Sequence, residues 1–186
     1  RCFVVLRVVC CEHWKETMAY KVLFLVVCAG LCFTTPCLAS VQQPTLSSCS
    51  STQVLKVSAV SITNAKVGQT MLFNYTGQLT TSLANSPVLS FTMTAKTTGN
   101  LIPCLLNVGS CQYKLCDGTT TIEQQIAAPW NNQCPIPVMT YTSSVAIAIP
   151  ALAGLIIGDG NMHLKITGVN GGSVIGCTEF DFKIAK

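Results

Sequence analysis

Apolar and polar residues alternate along five segments of the chain. Alternation with a period of two is typical of antiparallel strands that have one buried face. The residues expected to face inward are Met71, Phe73, Tyr75 and Leu79; Leu89, Phe91, Met93 and Ala95; Tyr141, Val145, Ile147 and Ile149; Met162, Leu164 and Ile166; and Phe180, Phe182 and Ile184. No long segment repeats with the helical period of about 3.6 residues.

Turn-forming residues separate these segments at positions 66–68, 85–87, 158–160 and 170–172. The Asn-Gly-Gly sequence at 170–172 joins two alternating segments and predicts a hairpin. The pattern as a whole predicts an all-β fold, a two-sheet antiparallel, immunoglobulin-like sandwich of about seven to nine strands.

We expect the first 39 residues to lie outside the folded domain. Residues 1–17 precede the first methionine, Met18, and are interpreted as an upstream or non-native segment; the alternative is the tail of a longer chain. Residues 18–39 have the form of a secretory signal peptide, with a lysine, an apolar run and small residues before Ser40. A membrane anchor is the alternative, but the run is shorter than the about 20 residues that span a bilayer. The predicted domain is residues 40–186.

The charge of this domain argues against a nucleic-acid partner. It contains seven lysines, five acidic residues and no arginine, whereas nucleic-acid-binding proteins normally carry a clustered basic patch. Catalysis is also not expected. The single histidine of the domain, His163, lies on the polar side of a predicted strand, and no Gly-x-Ser-x-Gly motif accompanies it. Glu179 and Asp181 share an outward face, so they do not form an interior carboxylate pair.

The domain contains six cysteines, and an even number in a secreted chain predicts three disulfides whose pairing the count leaves open. A zinc site that uses Cys111 and Cys116 is the alternative, which an oxidising compartment disfavours. The sequon Asn74-Tyr75-Thr76 places Asn74 on the polar side of its strand, as expected for an N-glycosylation site. We predict no cofactor and no metal.

Four of the six cysteines stand in a dense block in the middle of the chain. The motifs are Ile102-Pro103-Cys104, Gly109-Ser110-Cys111, Cys116-Asp117, Cys134-Pro135-Ile136 and, in the last strand, Gly176-Cys177. This arrangement resembles the lipid-recognition (ML) family, and within that family it is most similar to the ganglioside GM2 activator group. The likeness covers residues 49–186, and the cysteine block is its specific part.

The resemblance implies a pairing and a cavity. The pairs would be Cys49–Cys177, Cys104–Cys111 and Cys116–Cys134, although Cys177 falls on the polar side of its strand and would need a bulge or a position at a sheet edge. The sheets would separate to form an apolar lipid cavity. The residues expected to contact lipid are Leu89, Phe91, Met93, Val145, Ile147, Ile149, Leu164, Ile166, Phe180 and Phe182. The alternative is that they form a solid core, which every sandwich needs.

Residues 150–158 form an uncharged segment between two predicted strands. Loops normally lie on the surface and are polar, so exposed apolar residues there would mark a membrane or ligand site. We therefore predict a membrane-contacting loop at the lip of the cavity, formed by Leu152, Leu155, Ile156 and Ile157. The alternative is that the segment extends a buried strand.

The resemblance implies a non-catalytic function. The expected protein is a secreted or lysosomal carrier or activator that extracts a glycolipid or phospholipid from a membrane. It would then transfer the lipid or present it to a hydrolase such as a lysosomal glycosidase. One alternative is a secreted protein that recognises microbial lipid. The other is a β-sandwich glycoprotein that binds no lipid.

Overall fold

The computed structural model describes residues 39–186, and nine strands in this part of the chain form two antiparallel sheets. The first sheet has the order β1-β3-β4-β7, with β1 at Val41–Gln42, β3 at Leu55–Thr63, β4 at Thr70–Leu79 and β7 at Thr140–Ala148. The second has the order β2-β9-β8-β5-β6, with β2 at Ser47–Ser48, β5 at Val88–Ala95, β6 at Gln112–Lys114, β8 at Asn161–Asn170 and β9 at Ser173–Lys183. The expected two-sheet antiparallel sandwich is confirmed. The predicted segments 1–17 and 18–39 lie outside the described residues, apart from position 39.

The alternation of apolar residues sets the register of the sheets. In the second sheet Leu164 lies opposite Met93 on one side and Phe180 on the other, so that apolar side chains face the same way across three strands. All three side chains are buried. Strand β3 contacts β9 across the sandwich, and the inward faces of the two sheets form the core. The predicted hairpin at 170–172 joins β8 to β9.

A short helix, which the sequence pattern did not indicate, lies between β6 and β7. Helix α1 spans Thr121–Ala127 and begins with a capping box, in which the Thr120 side chain accepts from the Glu123 amide and the Glu123 side chain accepts from the Thr120 amide. Ile122 and Ile126, four residues apart, are buried on one face. Strands β6 and β7 are the last strands of their sheets, and α1 contacts both of them. The helix therefore covers the side where the two sheets are not otherwise joined.

Three disulfides join Cys49 to Cys177, Cys104 to Cys111 and Cys116 to Cys134, which are the pairs that the resemblance implies. Cys177 lies beside β2, the strand at the edge of the second sheet, and its carbonyl accepts from the Cys49 amide at 3.1 Å. The disulfide to Cys49, which directly follows the edge strand β2, accounts for a buried cysteine on the polar side of β9. Zinc ligation by Cys111 and Cys116 is wrong, since each belongs to a different disulfide.

The described residues contain no helix that is both long and apolar enough to cross a membrane.

Candidate functional site

An enclosed apolar cavity lies between the two sheets and beneath α1. Its volume is about 20 Å³, enough for about one water molecule. Thirteen side chains line it, and each is aliphatic or aromatic: Leu55, Val57, Phe73, Tyr75, Leu89, Phe91, Tyr113, Ile122, Ile126, Tyr141, Val145, Ile147 and Ile166. Such a lining favours apolar groups and gives no charged contact to a polar ligand.

A second cavity, also of about 20 Å³, continues from the first along the sandwich. The two share Phe73, Phe91, Tyr113 and Ile147 in their walls. The rings of Phe73 and Phe91 come from opposite sheets, and their centroids are 6.5 Å apart. The second cavity adds Met71, Met93, Asn107, Val108, Gly109, Leu164 and Phe182. The two cavities are therefore adjacent, and the two phenylalanine rings stand in the wall between them.

Eight of the ten residues expected to contact lipid line these cavities. They are Leu89, Phe91, Met93, Val145, Ile147, Leu164, Ile166 and Phe182. Ile149 and Phe180 line neither cavity. Ile149 is 2% exposed and lies just after β7, while Phe180 stacks on Phe73 at a centroid distance of 6.3 Å. Their inward direction was predicted correctly, but both pack within the core.

Several lining residues were not assigned to the site from the sequence. Phe73, Tyr75 and Tyr141 were expected to face inward but were not placed in the cavity. Ile122 and Ile126 lie on α1, whose signal was the capping pair Thr120 and Glu123 followed by apolar residues at helical spacing. That signal was present in the sequence.

The tyrosines in the wall have hydrogen-bonded or deeply buried hydroxyl groups. The Tyr113 hydroxyl donates to the Asn107 carbonyl at 2.9 Å, and the Tyr75 hydroxyl donates to the Ile126 carbonyl at 3.4 Å. Burial raises the pKa of Tyr113 to about 12, and the charge of Glu123 adds to that effect. Burial also raises the pKa of Tyr75 and of Tyr141 well above the ordinary tyrosine value. All three side chains therefore stay neutral, so the lining is uncharged.

Glu123 anchors α1 to the second sheet. Its Oε1 atom accepts from the backbone amide of Lys114 in β6 at 2.9 Å. Its Oε2 atom accepts from the amides of Thr119 and Thr120, each at 3.0 Å. Burial disfavours the charged carboxylate, but these hydrogen bonds outweigh that effect and lower the pKa of Glu123 below its usual value. The side chain is thus an ionised acceptor fixed between the helix and the sheet.

Gln125 anchors the same helix to the first sheet. Its Oε1 atom accepts from the backbone amide of Ala146 in β7 at 2.7 Å. In return, the Ser143 hydroxyl donates to the Gln125 carbonyl at 2.8 Å. Helix α1 is therefore hydrogen-bonded to both edge strands, and it closes the open side of the sandwich over the first cavity.

The apolar segment 150–158 forms a 3-10 helix at Ala151–Leu155 and then turns back. Leu152 is 63% exposed, Leu155 is 82% exposed, and Ile156 is also exposed. The prediction was wrong for Ile157, which is 1% exposed because the turn directs its side chain into the core; its amide donates to Ala153 and its carbonyl accepts from Gly160. The segment does not extend a strand. None of the four residues predicted to contact the membrane lines either cavity.

The remaining sites of interest lie on the outer faces of the sheets. Asn74 is partly exposed on the outer face of β4. His163 lies on the outer face of β8, with Nδ1 2.9 Å from an Asp181 carboxylate oxygen and Nε2 3.7 Å from one of Glu179. Hydrogen bonds from the Lys96 ammonium group and from His163 lower the pKa of Asp181. Both nitrogens of His163 therefore face carboxylates rather than a nucleophile.

No protein-family model matches this sequence, and no curated protein sequence does. Among solved structures, the fold is similar to that of a Niemann-Pick type C2 protein from Japanese carpenter ant, with a TM-score of 0.51 at 10% sequence identity. The alignment covers 75% of this chain and 98% of that chain. The similarity extends over nearly the whole of that protein and shows that the two chains share the β-sandwich fold.

Proposed function

We propose that this protein is a non-catalytic carrier that binds the acyl chain of a lipid between its two sheets. The observation that carries the proposal is the pair of adjacent apolar cavities between the sheets, the first of them beneath α1, whose linings contain no charged side chain. Burial of one CH₂ group contributes about 0.8 kcal/mol, so a sixteen-carbon chain gains about 12 kcal/mol on transfer from water. The likeness in fold to a Niemann-Pick type C2 protein supports the same interpretation.

Lipid uptake requires the cavity to enlarge. Two cavities of about 20 Å³ are far smaller than the about 300–1,000 Å³ of typical ligand sites. Within each sheet the strands are joined by backbone hydrogen bonds, but β6 and β7 do not pair with each other. Movement of α1 away from β6 and β7 breaks the hydrogen bonds that the Glu123 and Gln125 side chains accept from these strands. It leaves the hydrogen bonds within each sheet intact. We therefore place the opening at α1.

The finer proposal is that the carrier extracts a glycolipid or phospholipid from a membrane and then transfers it or presents its head group to a hydrolase. The cysteine block, which resembles that of the ganglioside GM2 activator group, supports this proposal. Leu152, Leu155 and Ile156 form an exposed apolar surface suited to transient membrane contact. Three disulfides suit a secreted or lysosomal location, and Asn74 is proposed to carry a glycan.

The small volume of the cavity favours a second candidate, a β-sandwich glycoprotein with a solid core. Native mass spectrometry of residues 40–186, secreted from a eukaryotic host and incubated with mixed phospholipid and glycolipid vesicles, separates the two functions. The carrier is expected to acquire lipid at about one molecule per chain. A protein that remains at its apo mass after incubation would establish the solid-core alternative.

A cavity-filling variant tests the site of binding. Val57 lines the first cavity and is partly exposed, while the adjacent Lys56 points outward from the same strand. Val57→Trp is expected to reduce lipid uptake at least tenfold, and Lys56→Trp is expected to leave it unchanged. Equal uptake by both variants, with both folded by circular dichroism, would place the lipid elsewhere.

A further inference from the structure

A short disulfide-closed hairpin projects from the edge of the second sheet; we call residues 104–111 the knuckle. The Cys104–Cys111 bridge closes it, and Leu105 and Val108 exchange two backbone hydrogen bonds of 2.8 and 3.0 Å. The two residues between them, Leu106 and Asn107, have φ values of 50° and 66°. A two-residue hairpin turn with both φ values positive is a type I′ turn. The knuckle is therefore a tight and firmly held structure.

Leu106 lies at a turn position where leucine is conformationally unfavourable. Type I′ turns favour Asn, Asp or Gly at both central positions, because these residues tolerate positive φ. The Leu106 side chain is also 72% exposed, so it gains little from burial in the core. Leucine is unfavourable in this backbone conformation and does not stabilise the core here. Such a residue is expected where it serves a function.

The surroundings of Leu106 suit contact with a low-dielectric surface. Residues 97–113 contain no charged side chain, and the charges that border this segment are Lys96 and Lys114. Leu101, on the same edge segment, is 59% exposed. The amides and carbonyls of Leu105 and Val108 bond to each other, and the Asn107 carbonyl accepts from the Tyr113 hydroxyl, so these backbone groups do not need water as a partner.

The knuckle also reaches the interior. Asn107, Val108 and Gly109 form part of the wall of the second cavity, and the Tyr113 hydroxyl, which belongs to a side chain lining both cavities, holds the Asn107 carbonyl. Leu106 thus points to solvent while Val108, two residues later, is buried at the cavity. We propose that the knuckle inserts Leu106 into the lipid bilayer surface and so places the cavity wall against the membrane from which the lipid is taken. This inference rests on the proposed lipid-carrier function.

The test compares Leu106→Asn with a matched change in the other exposed apolar segment, Leu155→Asn. Asparagine is favoured in the type I′ turn, so Leu106→Asn is expected to melt at or above the wild-type temperature. Its co-flotation with phosphatidylcholine vesicles is expected to fall about tenfold, because an inserted leucine side chain is lost. Uptake of the same lipid from a cyclodextrin complex is expected to equal that of the wild type.

A gain-of-signal variant supplies a second readout. Trp130 packs on Tyr141 of the cavity wall and would report lipid bound inside, so the variant is made in a Trp130→Phe background. In that background the fluorescence of Leu106→Trp is expected to be quenched by vesicles of brominated phosphatidylcholine. Absence of quenching together with unchanged flotation of Leu106→Asn would overturn the inference. Loss of flotation only in Leu155→Asn would assign membrane contact to the 3-10 segment instead. A wild-type dimer that Leu106→Asn converts to a monomer would make the knuckle a self-association surface.

Failure of the proposed function gives a different result. A wild-type protein that takes up no lipid from either vesicles or cyclodextrin would refute the carrier function itself. If the wild type takes up lipid from both sources and Leu106→Asn takes up the same amount from each, only the role of the knuckle is refuted.

Discussion

Replacing Glu123 with glutamine removes the carboxylate that ties α1 to β6. The two carboxylate oxygens accept from the backbone amides of Lys114, Thr119 and Thr120. A glutamine has one acceptor oxygen, and its amide nitrogen can only donate. At least one partly buried backbone amide therefore loses its acceptor, which costs about 1–3 kcal/mol, and the remaining bonds lose the strengthening of a charged acceptor. The expected fall in unfolding free energy is about 2–4 kcal/mol.

Equilibrium urea denaturation of the oxidised protein at pH 7 measures this loss. For a domain of about 150 residues, the melting temperature should fall by roughly 5–15 °C. Glu179→Gln is the matched control, because Glu179 lies partly exposed on the outer face of β9 and its loss should change stability by less than about 0.5 kcal/mol. Equal stability of Glu123→Gln and wild type would show that the carboxylate does not anchor α1.

The contribution of Glu123 to the unfolding free energy also depends on pH. The pKa of Glu123 is lowered in the folded protein, so its stabilisation is fully present above the ordinary value of 4.5 and is lost as the pH falls through the folded-state pKa. The difference in unfolding free energy between wild type and Glu123→Gln should therefore shrink below pH 4.5. A difference that stays constant through the acid range would contradict this reasoning.

The disulfides and one close packing contact give further predictions. Replacing both cysteines of the Cys49–Cys177 bridge, which closes 128 residues, should cost about 5 kcal/mol, whereas loss of the Cys104–Cys111 bridge, which closes 7, should cost about 2 kcal/mol; denaturation of the two double serine variants checks the order. Gly77→Ala should cost about 1–3 kcal/mol and reduce lipid uptake, because the added Cβ would lie 2.8 Å from a ring carbon of Tyr141 in the cavity wall. A calorimetric melting curve unchanged by that substitution would show that the ring moves freely.

The strands of the sandwich could be predicted because their apolar residues alternate without interruption. In β4, Met71, Phe73 and Tyr75 are buried and the residues between them are more exposed, as the pattern predicts. Burial alone does not separate core from cavity wall. Phe180 and Phe182 have the same parity in β9, yet only Phe182 lines a cavity, because Phe73 packs on Phe180 from the opposite sheet.

Irregular segments were harder to predict, since side-chain direction there depends on individual turns. The predicted loop residues Leu155 and Ile157 are equally apolar, but the 3-10 turn exposes the first and buries the second. Helix α1 was missed because only Ile122 and Ile126 mark its apolar face, and two positions do not establish a period. The capping pair was the stronger signal. Residues of the knuckle were noticed for their cysteines alone.

The closed cavity and the exposed apolar tips have complementary roles in the proposed carrier. A lipid chain gains about 12 kcal/mol on moving from water into the protein, but little on moving from a bilayer, because it leaves one apolar phase for another. Opening α1 costs several kcal/mol, since the Glu123 anchor alone contributes about 2–4 kcal/mol. Extraction from a bilayer therefore needs a further favourable contact while the helix is displaced. In the proposed mechanism, insertion of Leu106, in a knuckle that forms part of the wall of the second cavity, provides that contact.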